Sequence, residues 1–230
     1  MQAYTSTFER SEKKYLLSAE QYGQLINALQ EYTLPDTYGN TDIYTIYYDT
    51  PDFLLVRRSI EKPVFKEKLR LRTYGRPEDH DTAYIEMKRK YNKTVYKRRI
   101  AMPYREALAF LRTPDKGSQI AREIGYMLNF YPQIQPAMSL THNRISLIGQ
   151  EDPTLRITFD SNVRWRTDPI DLAVPAAGSP LLEKGWQIME LKFIGALPLW
   201  LVRLLSRISC FPIPFSKYGK AYEAMLNSTI

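Results

Sequence analysis

Phe65-Lys66-Glu67-Lys68-Leu69-Arg70-Leu71-Arg72 decides how the rest of the chain is read. Successive side chains of a strand point to opposite faces. Lys66, Lys68, Arg70 and Arg72 therefore share one side, and Phe65, Glu67, Leu69 and Leu71 share the other. A lone strand of this kind would turn its apolar row to the core and its charges to water. Repetition along the chain argues for something else. The next strand, 82–91, carries Tyr84, Glu86, Lys88 and Lys90 on one face. A turn at Asn92-Lys93 joins it as a hairpin to 94–101, which carries Lys97 and Arg99.

The pattern extends in both directions. Upstream, 8–17 alternates Phe8, Arg10, Glu12 and Lys14 against Tyr15 and Leu17. The segment 42–49 is a tyrosine- and isoleucine-rich strand that follows a loop signalled by Pro35, Asp36, Gly39 and Asn40. Downstream, 138–148 puts His142, Arg144 and Ser146 on one face. The strand 153–166 sets Arg156, Thr158, Asp160, Asn162 and Arg164 against Leu155, Ile157, Phe159 and Val163. The last strand, 186–194, sets Glu190 and Lys192 against Met189, Leu191 and Phe193. Ser18 opens a helix with Gln21 at capping-box spacing and Tyr22, Leu25, Ile26 and Leu29 as its apolar stripe. A short turn or helix carries 53–55. Further helices are expected at 103–112, with Pro103 in its first position, at 118–131, ended by Pro132 and Pro136, at 199–208 and at 216–226. The segment 172–185 reads as a loop.

The 230 residues predict one domain, 1–230, with a helical insertion at about 103–131. The chain is 44% hydrophobic and 25% charged, hence globular. A net charge of +7 points to a polyanionic partner. The one cysteine, Cys210, excludes an internal disulfide and a cysteine-built zinc site. Met1-Gln2-Ala3-Tyr4-Thr5 shows no basic and then apolar leader. The most apolar stretch, 194–205, is shorter than the roughly 20 residues that span a bilayer, and Arg203 interrupts it. No transmembrane segment and a cytoplasmic location are therefore expected.

Six strands put a charged row opposite an apolar one, and the helices look too few to cover eight strands. A closed eight-stranded antiparallel barrel with helices outside and the charges inside follows as the expectation, an α+β fold. Burying unpaired ions costs several kcal/mol each. Lys14, Lys68, Arg70, Arg72, Lys88, Lys90, Lys97, Arg144, Arg156 and Lys192 outnumber Glu12, Glu86, Asp160 and Glu190. Such an interior makes sense wet and holding a multiply charged anion, and phosphate chains fit it. A nucleic-acid-binding sheet would show stacking aromatics on the basic face, where only Tyr84 is read.

In this order and spacing, one set of motifs is specific. It comprises Glu12-Lys13-Lys14-Tyr15, Tyr47-Tyr48-Asp49-Thr50, Lys68-Leu69-Arg70-Leu71-Arg72-Thr73-Tyr74-Gly75, Glu86-Met87-Lys88 and Lys97-Arg98-Arg99. It continues with Asn143-Arg144, Leu155-Arg156-Ile157-Thr158-Phe159-Asp160, Glu190-Leu191-Lys192, Pro198-Leu199-Trp200 and Phe215-Ser216-Lys217-Tyr218-Gly219. The chain resembles the triphosphate tunnel (CYTH-like) superfamily. Within it, the match is to the polyphosphate polymerase domain of the vacuolar transporter chaperone complex and its bacterial relatives.

The resemblance implies an eight-stranded tunnel, with the C-terminal helix near it, that binds triphosphate or polyphosphate. It implies metal-dependent transfer of the ATP γ-phosphoryl group to a growing polyphosphate chain. Its phosphate ligands carry over as Lys14, Arg70, Arg72, Lys88, Lys97, Arg144, Arg156, Lys192 and Lys217. The catalytic set is Arg70, Arg72, Lys88, Arg144, Arg156 and Glu190. Glu190 is the implied ligand of Mn²⁺ or Mg²⁺, with Glu12 and Glu86 as further candidates. Hydrolytic relatives carry Glu-x-Glu-x-Lys on the first strand, where this chain reads Arg10-Ser11-Glu12-Lys13-Lys14, which favours the polymerase branch. Eukaryotic relatives add membrane helices and an inositol-phosphate-sensing domain, so a membrane partner protein fits the resemblance. The expected partners are ATP and inorganic polyphosphate, and not nucleic acid.

Plainer readings stand beside these. A triphosphate or tripolyphosphate hydrolase and a non-catalytic polyphosphate-binding module use the same cations. Glu12 and Glu86 pair with neighbouring cations as readily as with metal. Asp160 pairs with Arg156 or Arg164, His142 is an ordinary strand residue, and Lys217 is a solvated helix lysine.

Overall fold

The computed structural model describes residues 10–228 except 62, 93, 115, 116 and 132. Phe8 of the first expected strand, Lys93 of the expected turn and Pro132 lie outside the described residues. The elements in chain order are β1 (Arg10–Leu17), α1 (Ala19–Leu29), β2 (Thr33–Asp49), α2 (Leu54–Ile60), β3 (Phe65–Tyr74), β4 (Thr82–Tyr91) and β5 (Thr94–Pro103). They continue with α3 (Tyr104–Arg112), α4 (Gln119–Phe130), β6 (Gln135–Gly149), β7 (Arg156–Arg166), β8 (Ser179–Pro180), β9 (Gln187–Ile194), α5 (Leu199–Arg207) and α6 (Lys217–Ser228).

The α+β class is as expected, and every expected strand and helix is present. Three local readings are corrected. The expected loop around Pro35 and Gly39 lies within β2, where Gly39 takes a left-handed φ of 47° that glycine accepts without a Cβ clash. Pro103 caps α3 rather than occupying its first position. The expected loop at 172–185 contains the two-residue β8, paired to β7.

The expected closed barrel is also corrected. The strand order is β1-β9-β7-β6-β2-β3-β4-β5, an open path with β1 and β5 at its ends and no pairing between them among the described residues. Two physical reasons account for this. The apolar rows are covered by helices, so closure is not required to bury them. The end strands also carry rows of charge, Glu12, Lys13 and Lys14 on β1 and Lys97, Arg98 and Arg99 on β5, which resist edge-to-edge pairing.

The chain divides into two compact units. The first comprises Met1–Thr41, Asn143–Asn162 and Leu182–Phe215. Its core joins Tyr15 and Leu17 of β1, Ile157 and Phe159 of β7, and Met189, Leu191 and Phe193 of β9 to Leu25 and Leu29 of α1 and Leu201 and Leu205 of α5. Those are the apolar parities read in the sequence. Ser18 and Gln21 form the capping box of α1, and Trp200 stacks on Tyr32 at 4.1 Å. Cys210 is buried, and burial pushes its thiol up to about 11.

The second unit comprises Asp42–His142, Val163–Leu181 and Ser216–Ile230. Leu69 and Leu71 of β3 and Ala83, Ile85 and Met87 of β4 pack under Ala107 and Phe110 of α3 and Ile124 and Met127 of α4. A second cluster seats Tyr218, Ala221 and Tyr222 of α6 against Tyr47, Val56, Met138 and Leu140. His142 is buried in β6. No helix among the described residues is long and apolar enough to cross a membrane.

Candidate functional site

The predicted site residues fall into two groups, one in each unit. The first group rests on the pairing of β9 with β1 and β7, which sets Glu12 opposite Lys192, Lys14 opposite Glu190, Arg156 opposite Lys192 and Thr158 opposite Glu190. Glu190 is buried. Lys192 Nζ lies 2.5 Å from its Oε1, and Lys14 Nζ lies 3.9 Å from its Oε2 and 3.4 Å from Glu12. Burial alone would raise the Glu190 carboxyl, but Lys192, Lys14 and Arg144 hold it well below the usual range. It is therefore an ionised oxygen donor at any neutral pH.

Lys14 also donates to the carbonyl of Phe215 at 3.2 Å, and its own carbonyl accepts from Ile213 N–H at 2.7 Å, so the segment before α6 runs along β1. Arg144 grips Asp160 with two parallel bonds of 2.6 and 2.7 Å. Asp160, read in the sequence beside Arg156 and Arg164, thus has Arg144 of β6 as a partner, whose guanidinium reaches the carboxylate in bidentate geometry. Arg156 instead faces Asp36 at 3.6 Å. Asp36 was hidden from the sequence reading by the turn residues around it.

The second group is built on β3, β4 and β5. Their pairing sets Lys66 opposite Lys90, Lys68 opposite Lys88, and Lys88 opposite Lys97. Like charges directly opposite on a sheet are destabilising, so the row Lys68–Lys88–Lys97 favours an anion above it. Beside that row Arg70 pairs with Glu86 and Glu86 with Arg99. Glu86 is 1% exposed and meets four cations. Arg70 lies at 2.6 Å, Lys97 at 2.6 Å, Arg99 at 2.7 Å and Arg72 at 4.0 Å. Burial would raise its carboxyl, but Arg70 and Arg72, with Lys97, hold it well below the usual range. One carboxylate thus collects four positive groups, a local excess of positive charge.

Tyr47 of β2 joins this group. Its hydroxyl accepts from Arg70 Nη1 at 3.4 Å, and its ring stacks on Tyr218 at 4.3 Å. Tyr218 donates to Asp49 at 2.8 Å, and Asp49 also accepts from the backbone N–H groups of Thr50, Leu55 and Val56. Lys68 Nζ donates to Ser216 Oγ at 2.9 Å, which places the residue just ahead of α6 in the same group. Lys217, the first residue of α6, is half-buried. Lys88 is exposed.

Sequence reasoning missed four contributors. Asp36 lay in a segment read as loop, and Arg99 was placed on the basic face but left without a role. Tyr47 stands in the motif Tyr47-Tyr48-Asp49-Thr50, whose spacing alone assigns it no role. Tyr74 belongs to the Lys66-to-Arg72 row by parity, and Arg99 Nη2 donates to its hydroxyl at 3.0 Å. The row continues past Arg72, and Tyr74 joins Tyr84 and Tyr47 as an aromatic on the basic face.

Comparison with known proteins bears on the whole chain. A family model of the VTC domain matches residues 9–226. The vacuolar transporter chaperone complex subunit 4 of Trypanosoma brucei brucei is 23% identical over 87% of this chain, which spans 30% of that protein's length. Among solved structures, a candidate adenylate cyclase from Bacillus halodurans aligns with a TM-score of 0.54 at 16% identity, over 89% of this chain and 92% of the other. A candidate adenylyl cyclase from Hippeastrum with a dominant triphosphatase activity aligns at 0.50 and 13% identity, over 90% and 92%. At these identities the two structures show a shared fold.

Proposed function

The chain belongs to the VTC domain family, and from that footing we propose that it is a metal-dependent polyphosphate polymerase that moves the γ-phosphoryl group of ATP onto inorganic polyphosphate. The observation that carries this reading is the gathering of Arg70, Arg72, Lys97 and Arg99 on the single carboxylate of Glu86, next to the row Lys68–Lys88–Lys97. Such a surface suits an extended chain of negative charge far better than a single anion.

In the proposed reaction a terminal oxygen of the polyphosphate chain attacks the γ-phosphorus. The bond from that phosphorus to the bridging oxygen of ADP breaks, ADP leaves, and the chain is one phosphate longer. This chemistry depends on positioning and charge neutralisation and needs no protein nucleophile. In the second unit Arg70 and Arg72 take non-bridging oxygens and Lys88, Lys97 and Lys217 neutralise phosphate charge; in the first unit Arg144 and Arg156 take non-bridging oxygens and Lys14 and Lys192 neutralise phosphate charge. Asp160, in its bidentate pair, fixes the direction of the Arg144 fork.

Mn²⁺ or Mg²⁺ is bound by one or two carboxylates together with water and substrate phosphates. Glu190 fits that share, because its lowered carboxyl stays ionised, and Glu12 adjoins it through Lys14. Glu86 fits less well, being engaged by four cations. Among the described residues no three His, Cys, Asp or Glu side chains form a metal cage, so phosphate oxygens would complete the shell. The metal would supply Lewis-acid polarisation of those oxygens.

The test is incubation of the purified protein with ATP and Mn²⁺, followed by a chain-length gel, with Glu190→Gln and Arg70→Ala in parallel. The expected result is a ladder of long chains with ADP, lost in both variants. Free phosphate without chains would indicate a hydrolase. Tight polyphosphate binding without turnover, kept in Glu190→Gln, would indicate a binding module.

A further inference from the structure

We propose that Tyr74, braced by Arg99 and Tyr84 at the end of the basic row of β3, is the stacking platform for the base of the nucleoside triphosphate donor. The inference rests on the polymerase reading and adds to it a part that phosphate chemistry alone does not require.

Along β3 the basic face reads Lys66, Lys68, Arg70, Arg72 and then Tyr74, so the row changes from cations to an aromatic ring at its end. A nucleoside triphosphate has the same order, charge along one end and a planar ring at the other. Residues two apart on a strand stand about 7 Å from each other. A base on Tyr74 therefore sets the ribose toward Arg72 and the outer phosphates toward Arg70 and Glu86's cations.

The ring is held ready for this. Tyr74 is 42% exposed although its strand is largely buried. Tyr84, which faces Arg72 across the β3–β4 ladder, packs edge-on to Tyr74 with 5.5 Å between centroids. Arg99 lies 4.3 Å over the Tyr84 ring, donates to the Tyr74 hydroxyl at 3.0 Å and donates through Nε to Glu86 at 2.7 Å. One guanidinium thus ties the aromatic pair to the carboxylate at the centre of the phosphate group. Stacking on such a ring is tolerant of base identity, because every base presents a π-face. The platform should therefore accept adenine and guanine alike.

The experiment is calorimetric titration of ATP, GTP and inorganic tripolyphosphate into the wild type, Tyr74→Leu and Tyr74→Phe, with circular dichroism to confirm folding. Tyr74→Leu is expected to weaken ATP and GTP about tenfold and to change tripolyphosphate by less than about twofold, while Tyr74→Phe keeps the wild-type pattern because the ring remains. Equal weakening of all three ligands, or no weakening of the nucleotides, would overturn the platform. Failure of tripolyphosphate to bind the wild type would instead overturn the phosphate-chain reading beneath it.

Discussion

Burial alone would raise the Tyr47 phenol, but the charges of Arg70, Arg72 and Lys68 bring it down to about 7. An unfolded tyrosine titrates near 10.0. Between those values the folded chain holds fewer protons than the unfolded one, so this group adds stability as pH rises from about 7 to 10 and loses it as pH falls back through 7. A phenolate beside Arg70 competes with a bound phosphate. Tripolyphosphate affinity should therefore fall as pH rises through about 7, and Tyr47→Phe should flatten that dependence; titrations across the range check it. Glu86 acts in the opposite range. Its folded carboxyl lies well below 4.5, so its contribution is complete above 4.5 and fades as pH falls toward the lowered value. Glu86→Gln leaves its cations without their anion and should cost about 3–5 kcal/mol in chemical denaturation at neutral pH. Added tripolyphosphate should restore part of that loss, because it supplies negative charge to the same cations.

At the scale of elements, α6 is anchored by one contact chain, from the α2 backbone through Asp49 to Tyr218 and its stack on Tyr47. Tyr218→Phe keeps the stack and removes a buried donor, so it should lower unfolding free energy by about 1–2 kcal/mol. If α6 positions Lys217 and Ser216 for phosphate, the same variant should also weaken tripolyphosphate binding, which a purely stabilising contact would not do. Ser18→Ala, in the capping box of α1, should cost about 1 kcal/mol and leave binding unchanged. The sequence made some of this legible and hid the rest. The capping box shows because its residues stand three apart in one local pattern. The two faces of β3, β4, β7 and β9 show because a strand's period is fixed by its geometry. Asp49 does not show, since its role depends on Tyr218, 169 residues away. Asp36 does not show because proline, glycine and asparagine around it mimic a turn.

For the whole molecule, the strands and their charge pattern were readable, while strand order and closure were not. Alternation of residues reports which side a row faces and carries no information on whether the end strands meet. Here helices α1, α5, α3 and α4 bury the apolar rows, and β1 and β5 remain edges. With a net charge of +7, the proposed polyanion binding should weaken as salt rises. Saturating tripolyphosphate at low ionic strength should raise the melting midpoint by about 5–10 °C, less at high salt, and Arg70→Ala should remove most of the rise. In the proposed reaction the chain builds polyphosphate from the donor's last phosphate. That reaction is tested most directly by supplying ATP labelled in the γ-phosphate, with Mn²⁺ and a short polyphosphate primer, and following the label. Label is expected in chains longer than the primer, in equal amount to the ADP formed, if the proposed reaction holds. Label found only in free phosphate, or remaining in ATP, would contradict it.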